Sequence, residues 1–206
     1  MSRTIVISAA LGLAAVLGGT YAATLWQSAG VNPCAAGQVA GGDIGGPFTL
    51  TDESGRSVTD ADVFTAPTIL YFGYTFCPDI CPTDTARNGF ALEVLEERGI
   101  IANAAFITID PARDTPDVVA AFTDNFHPRM LGLTGTQEQI DAAVREWRVL
   151  AQKDDSGDPE FYLMNHSTFS YLVMPGTGFA EFFNRGTTPE EMADTVACYV
   201  EQAATN

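Results

Sequence analysis

Hydrophobic and polar positions change period several times along this chain, and each change marks an element. From Thr4 to Trp26, TIVISAALGLAAVLGGTYAATLW, no charge interrupts an apolar run. Coiled as a helix it would span about 34 Å, against roughly 30 Å of hydrocarbon in a bilayer. We read residues 1–26 as a membrane anchor, the alternative being a signal peptide cleaved near Thr20-Tyr21-Ala22. Residues 27–46, QSAGVNPCAAGQVAGGDIGG, are small and aperiodic and read as a flexible linker. Residues 47–206 then read as one domain. PFTLTDESGRSVT alternates about a Glu-Ser-Gly turn, the pattern of a short hairpin, and PTILYFGYTF is the nearly continuous apolar run of a strand buried on both faces. PTDTARNGFALEVLEERG predicts a helix with Pro82 in its first turn and a stop at Gly99. The alternation continues through IIANAAFITID (strand), TPDVVAAFTDNF (helix), MLGLTG (strand) and TQEQIDAAVREWRV (helix). FYLMNHSTFSYLVMP and FAEFFNRG read as two strands joined by a Pro-Gly-Thr-Gly turn, and TPEEMADTVACYVEQA closes the chain as an amphipathic helix. This order implies an α/β fold: a central sheet with helices on both faces, extended by an antiparallel terminal hairpin. In such sheets chemistry gathers beyond the carboxyl ends of strands.

Charge narrows the functions available. Asp and Glu total 26 against 10 Lys and Arg, a net charge of -16. That balance excludes a general nucleic-acid binder, which needs clustered cations, and suits a basic or weakly charged protein partner. Arg3 is the only basic side chain before the apolar run, so the rest of the chain is expected across the membrane. There disulfides persist, and a free thiol needs a reason to stay reduced. The run KDDSGDPE from Lys153 reads as a solvated acidic loop, or as a docking patch for a basic partner.

The chain has four cysteines, at positions 34, 77, 81 and 198. Cys77 and Cys81, in YTFCPDICPTD, follow the aromatic strand, with Cys81 expected at the edge of the next helix. Unpaired N–H groups and the helix dipole there favour thiolate, the form that attacks disulfides and binds soft metals. Pro78 and Pro82 restrict the backbone on either side. Two inert buried thiols are the plain alternative. Dithiol oxidoreductases more often have two residues between their cysteines; the three here leave metal binding open. Two thiolates suit Cu(I), and an added imidazole gives a set that also holds Cu(II). Two histidines are available. His127, in NFHPRM, reads as a loop or capping residue, whereas His166 begins a predicted strand in NHSTFSYLV. Spacing alone does not choose between a ligand and a structural role for it.

The stretches YFGYTFCPDICPTD, FITIDPARDTPDVVAAF, LGLTG and NHSTFSYLVMPGTGF, in that order between Gly46 and Val200, resemble the SCO/SenC family of membrane-anchored copper-binding proteins involved in assembling cytochrome c oxidase. The resemblance implies a thioredoxin-like fold with an added N-terminal β-hairpin. It implies one copper ion, Cu(I) or Cu(II), held by Cys77, Cys81 and His166, the cysteines also forming a redox-active pair. The implied partners are the copper-site subunit of the oxidase and a second periplasmic copper chaperone, met from an inner-membrane anchor with the domain in the periplasm. Asn165 stands where the family often has Asp before the histidine, so a charged neighbour for the imidazole is missing. Asp110, before Pro111, is either a polar neighbour of the site or a turn residue. Asp79 is expected to face solvent. Cys34 and Cys198, the even remainder in an exported protein, read as a structural bridge. Two rival functions stay open: a thiol-disulfide oxidoreductase or thiol peroxidase, which has no use for His166, and a copper or redox sensor.

Overall fold

The computed structural model describes residues 18–20, 34, 44–154 and 161–205. Most of the expected membrane span, most of the linker and the acidic run beyond Asp154 lie outside them. Among the described residues no helix is long and apolar enough to cross a membrane. The chain divides into two units, Met1–Ala35 and Ala36–Asn206, and the second carries the elements below.

Strands β1 (Thr49–Asp52) and β2 (Ser57–Thr59) form the expected antiparallel hairpin. Its turn is closed by the Asp52 carboxylate, which accepts the N–H groups of Ser54 and Arg56, and Gly55 adopts φ 75°, where a side chain would be strained. A one-turn helix, α1 (Asp60–Val63), follows behind a capping box of Thr59 and Asp62. The hydrophobic pattern does not announce it, because one turn is too short to show a period.

β3 (Thr68–Gly73) is buried at every position. It lies between β4 (Asn103–Thr108), which runs parallel to it, and β8 (Ser170–Met174), which runs antiparallel. With β5 (Met130–Thr134) and β9 (Gly178–Phe183) the sheet has seven strands in the order β2-β1-β5-β4-β3-β8-β9. Four longer helices accompany them, α2 (Ile80–Glu97), α3 (Pro116–Thr123) and α4 (Gln137–Glu146) between strands and α5 (Pro189–Ala204) after the last. Thr136 and Thr188 cap α4 and α5 in capping boxes with Gln139 and Glu191. The helix expected to open near Pro82 begins at Ile80, which draws Cys81 into its first turn.

A second difference bears on the site. FYLMNHSTFSYLVMP is not one strand. Its first part, β7 (Met164–His166), pairs with β6 (Ala151–Lys153) in a two-stranded sheet of its own, and only β8 joins the main sheet. Ser167 makes the break: its N–H donates to the Leu150 carbonyl at 3.0 Å, and its hydroxyl accepts the Leu150 N–H at 2.9 Å. The core beneath the sheet edge is aromatic and tight, with Phe72, Phe106 and Trp147 all at 2% exposure or less. Side chains of this size contribute about 1.5–3 kcal/mol each on burial, which makes the end of β3 a rigid platform.

Candidate metal site

β3 ends at Gly73, and the loop from Tyr74 to Asp79 carries the chain into α2. Asp79, the N-cap, gives no side-chain hydrogen bond to the helix. The Cys77 sulfur does this instead, accepting the Cys81 N–H at 3.3 Å. Burial pushes the Cys77 thiol up, but hydrogen bonds from the backbone N–H groups of Cys81, Asp79 and Ile80 and from the Cys81 thiol together outweigh that cost and bring its pKa below the ordinary value. Cys81 is shifted the other way: fully buried, its thiol is pushed well up by desolvation. The stabilised thiolate is therefore Cys77, at 9% exposure, rather than Cys81, at 0%. The helix N-terminus acts as the sequence suggested, but on the other sulfur.

His166 arrives from β7, outside the main sheet, and places Nε2 at 3.3 Å from the Cys81 sulfur. Its Nδ1–H donates to the Ser167 carbonyl at 2.7 Å. That bond leaves the Nε2 lone pair facing the cysteines. Burial lowers the imidazole pKa despite the opposing Ser167 carbonyl, so the ring is neutral and ready to ligate. The rings of Tyr71 and Tyr74 meet the imidazole edge to face, with centroids at 6.2 and 5.9 Å. One sulfur each from Cys77 and Cys81 and one ring nitrogen from His166 all lie within 4.8 Å of one another. Two soft thiolates and a neutral imidazole at that spacing form a closed donor set for a single soft ion. Beside them a cavity of about 310 Å³ is lined by Tyr74, Cys77, Ile80, Leu163, His166 and the carboxylate-bearing Asp79 and Asp154.

Asp110 is buried and is engaged by groups other than the three donors. It accepts the Tyr162 hydroxyl at 2.7 Å and Arg113 Nε at 2.5 Å. Arg113 in turn lies over the Tyr74 ring. Asp79 is exposed, as expected. His127 is distant in role: its Nδ1 accepts the Arg129 N–H. Cys34 and Cys198 each belong to a disulfide, while Cys77 and Cys81 are free thiols.

Several residues that shape the site gave no signal in the sequence. Asp84, one helical turn after Cys81, is buried and accepts the Tyr71 hydroxyl at 3.1 Å. Asp114 is fully buried and accepts the Thr75 N–H and hydroxyl and the Thr108 hydroxyl, which fixes the start of the cysteine loop. Gly73 has its own role: a Cβ there would stand 3.1 Å from the Cys81 sulfur.

A family model described as SCO1/SenC matches residues 36–201. The chain belongs to the SCO1/SenC family. Protein SenC of Rhodobacter capsulatus is 45% identical over 99% of this chain and 93% of its own length. The mitochondrial SCO1 homologue of Homo sapiens is 33% identical over 76% of the chain; the match spans 53% of that longer protein. Among solved structures, Arabidopsis thaliana ScoI with copper bound is 36% identical with a TM-score of 0.72, covering 77% of this chain and 99% of that one. Yeast Sco1 with copper bound is 35% identical with a TM-score of 0.72, over 80% and 96% of the two chains. These likenesses carry the thioredoxin-like α/β fold that the family resemblance implied.

Proposed function

We propose that this SCO1/SenC protein binds one copper ion through Cys77, Cys81 and His166 and serves the assembly of cytochrome c oxidase. It delivers the ion to the binuclear copper site of the copper-bearing subunit, or reduces that site's cysteines. In this reading Thr4 to Trp26 anchors the domain in the inner membrane, the domain lies in the periplasm, and Cys34 pairs with Cys198. One observation carries the reading. Three scarce donor atoms, drawn from a strand-to-helix loop and a separate hairpin, lie within 4.8 Å, with the imidazole held in the tautomer that presents Nε2. The copper-bound relatives support it, since their chains match this one over nearly their whole length.

Copper is cargo here, and the residues suggest how it moves. Neutral His166 leaves the ion without exchanging a proton, which opens a position for an incoming thiolate while both cysteines still hold on. Cys77, the more exposed sulfur with the lower pKa, is next to be replaced, and buried Cys81 is last. The ion is handed over ligand by ligand and is not released to solvent.

The same asymmetry favours the reductant reading as the second choice. The Cys77 thiolate attacks one sulfur of the target disulfide and forms a mixed disulfide, releasing the other sulfur as thiolate. Cys81 then loses its proton and attacks the Cys77 sulfur. The target is left as two thiols and the protein as a Cys77–Cys81 disulfide, two electrons having passed. Formation of that bond removes both thiolates from the metal set.

An anaerobic Cu(I) competition titration of the full chain in detergent tests the proposal. One copper per chain is expected, with affinity lowered at least about tenfold by His166→Ala and abolished by Cys77→Ser with Cys81→Ser. Binding indifferent to His166 would overturn the three-donor site and leave thiol-disulfide exchange as the function.

A further inference from the structure

The donors come from two places with separate hydrogen-bonding frameworks. The cysteines follow β3 of the main sheet, and His166 sits on the β6–β7 hairpin, whose strands have three residues each. A two-stranded hairpin alone is marginal in water, so contacts with the rest of the domain hold His166 at its distance; Ala151 and Met164 pack on the core, and polar and aromatic contacts add to them. The turn after β4 is placed to do so. The Arg113 guanidinium carbon stands 3.6 Å from the centroid of Tyr162, which precedes His166 on the hairpin side. The same carbon is 4.7 Å from the ring of Phe76 and 5.9 Å from that of Tyr74, both in the cysteine loop. Tyr74 in turn packs edge-on against the His166 imidazole. Asp110 completes the brace by joining Arg113 Nε to the Tyr162 hydroxyl, and Lys153 of β6 lies 3.9 Å over the Tyr162 ring. Arg113 Nη2 is buried without a hydrogen-bond acceptor, so the guanidinium is held by Asp110 at Nε and by the aromatic faces around it.

We propose that Arg113 is a positioning residue that fixes His166 relative to the cysteine pair and so decides whether an ion there is held by three donors or by two. The inference rests on the copper-binding reading above. Arg113 touches none of the donor atoms. Its planar cation bridges rings from both loops, each cation–π contact being worth about 0.5–2 kcal/mol, and a lysine would lack the plane needed to stack on Tyr162 while reaching Asp110. Without it the hairpin keeps its short ladder, the Leu150–Ser167 bonds, the Tyr162–Asp110 bond and the packing of Ala151 and Met164 on the core, but loses the bridge from Tyr162 to Phe76 and Tyr74 of the cysteine loop.

The test uses the full chain in detergent, with Arg113→Met, His166→Ala and the double variant. Arg113→Met is expected to weaken Cu(I) binding by about 10–100-fold, the range typical for losing an orienting group behind a ligand. It should also remove the imidazole nitrogen splitting from the paramagnetic resonance spectrum of the Cu(II) complex. In the His166→Ala background the same substitution should change affinity less than about twofold, because nothing is left to position. Equal losses in both backgrounds, or a wild-type Cu(II) spectrum in Arg113→Met, would overturn the proposal. A readout in the metal-free protein separates this from failure of the copper reading. The His166 ring nitrogens should give one set of resonances in wild type and broadened or doubled signals in Arg113→Met, and unchanged signals would refute the positioning role whether or not copper binds. Should Arg113→Met not fold, Tyr162→Leu removes the same brace from the part-exposed hairpin side and is read by the same cycle.

Discussion

Replacing Gly73 with alanine adds one methyl group at the point where the central strand passes behind the metal ligands. Gly73 pairs with Thr108 in the parallel ladder and does not need positive φ, so alanine adopts its backbone freely. In an ordinary strand the change would gain about 0.5–1 kcal/mol. Here the new Cβ would lie 2.8 Å from Tyr71 Cε1, 3.0 Å from Phe106 Cε2 and 3.1 Å from the Cys81 sulfur. The two rings cannot yield easily: Phe106 is packed in the core and Tyr71 is tied to Asp84 through its hydroxyl. The sulfur must give way. Overpacking of this kind costs about 1–3 kcal/mol, leaving a net loss on the order of 1–2 kcal/mol. For a domain of this size that lowers Tm by roughly 2–8 °C. Thermal unfolding of the metal-free chain followed by circular dichroism reads the first effect, and Cu(I) competition well below Tm reads the second. Affinity should fall at least about tenfold, because Cys81 is pushed from its place beside His166. A variant with wild-type Tm and wild-type affinity would show that the strand backbone does not confine this sulfur.

Two further outcomes follow from the buried groups. Alkylation by iodoacetamide, mapped by mass spectrometry in the reduced protein, should modify Cys77 well before Cys81, with a rate that rises with pH to a midpoint below that of a free thiol; faster labelling of Cys81 would contradict the assignment. Asp114→Ala orphans the Thr75 N–H and the hydroxyls of Thr75 and Thr108, at a cost on the order of 3 kcal/mol in urea unfolding. Burial raises the Asp114 pKa above its ordinary 3.8, so the native state binds that proton more tightly than the unfolded state. The stability it contributes is then full below 3.8 and is lost as pH rises through the raised value, and the gap between wild type and variant should widen on acidification across that window. A gap that narrows would reverse the sign of the shift.

The cysteine pair was legible from its place after the aromatic strand, whereas spacing did not separate His166 from a structural histidine, and its grouping with Cys77 and Cys81 came from the resemblance to the SCO/SenC family. The alternation of strands and helices likewise carried the sheet, whose buried strands show as continuous apolar runs. The residues that orient the donors were not legible. Tyr71, Tyr74, Arg113 and Tyr162 are ordinary types, and their roles depend on contacts between distant segments, such as the Tyr162–Asp110 bond across 52 residues. The division of β7 from β8 was hidden for a related reason. Apolar residues continue through it, and the break depends on bonding between Leu150 and Ser167, 17 residues apart. The start of α2 was misplaced because Pro82 is a familiar first-turn residue, whereas the cap is supplied by the Cys77 sulfur, a role no propensity scale assigns to cysteine.

The spacing of the donors along the chain has a thermodynamic consequence. Cys77 and Cys81 are 4 residues apart, but Cys81 and His166 are separated by 85. In an unfolded chain, closing the longer loop costs about 3 kcal/mol more entropy than closing the shorter. An ion that meets the unfolded polypeptide is therefore gripped by the cysteines alone, and the imidazole joins once the hairpin has docked beside β3. From then on the ion is a cross-link between remote stretches of the native chain, and its binding free energy adds to that of the fold. Full coordination thus doubles as a proofreading step: only a finished domain completes the set, and emptying the site relaxes the molecule that carried the load.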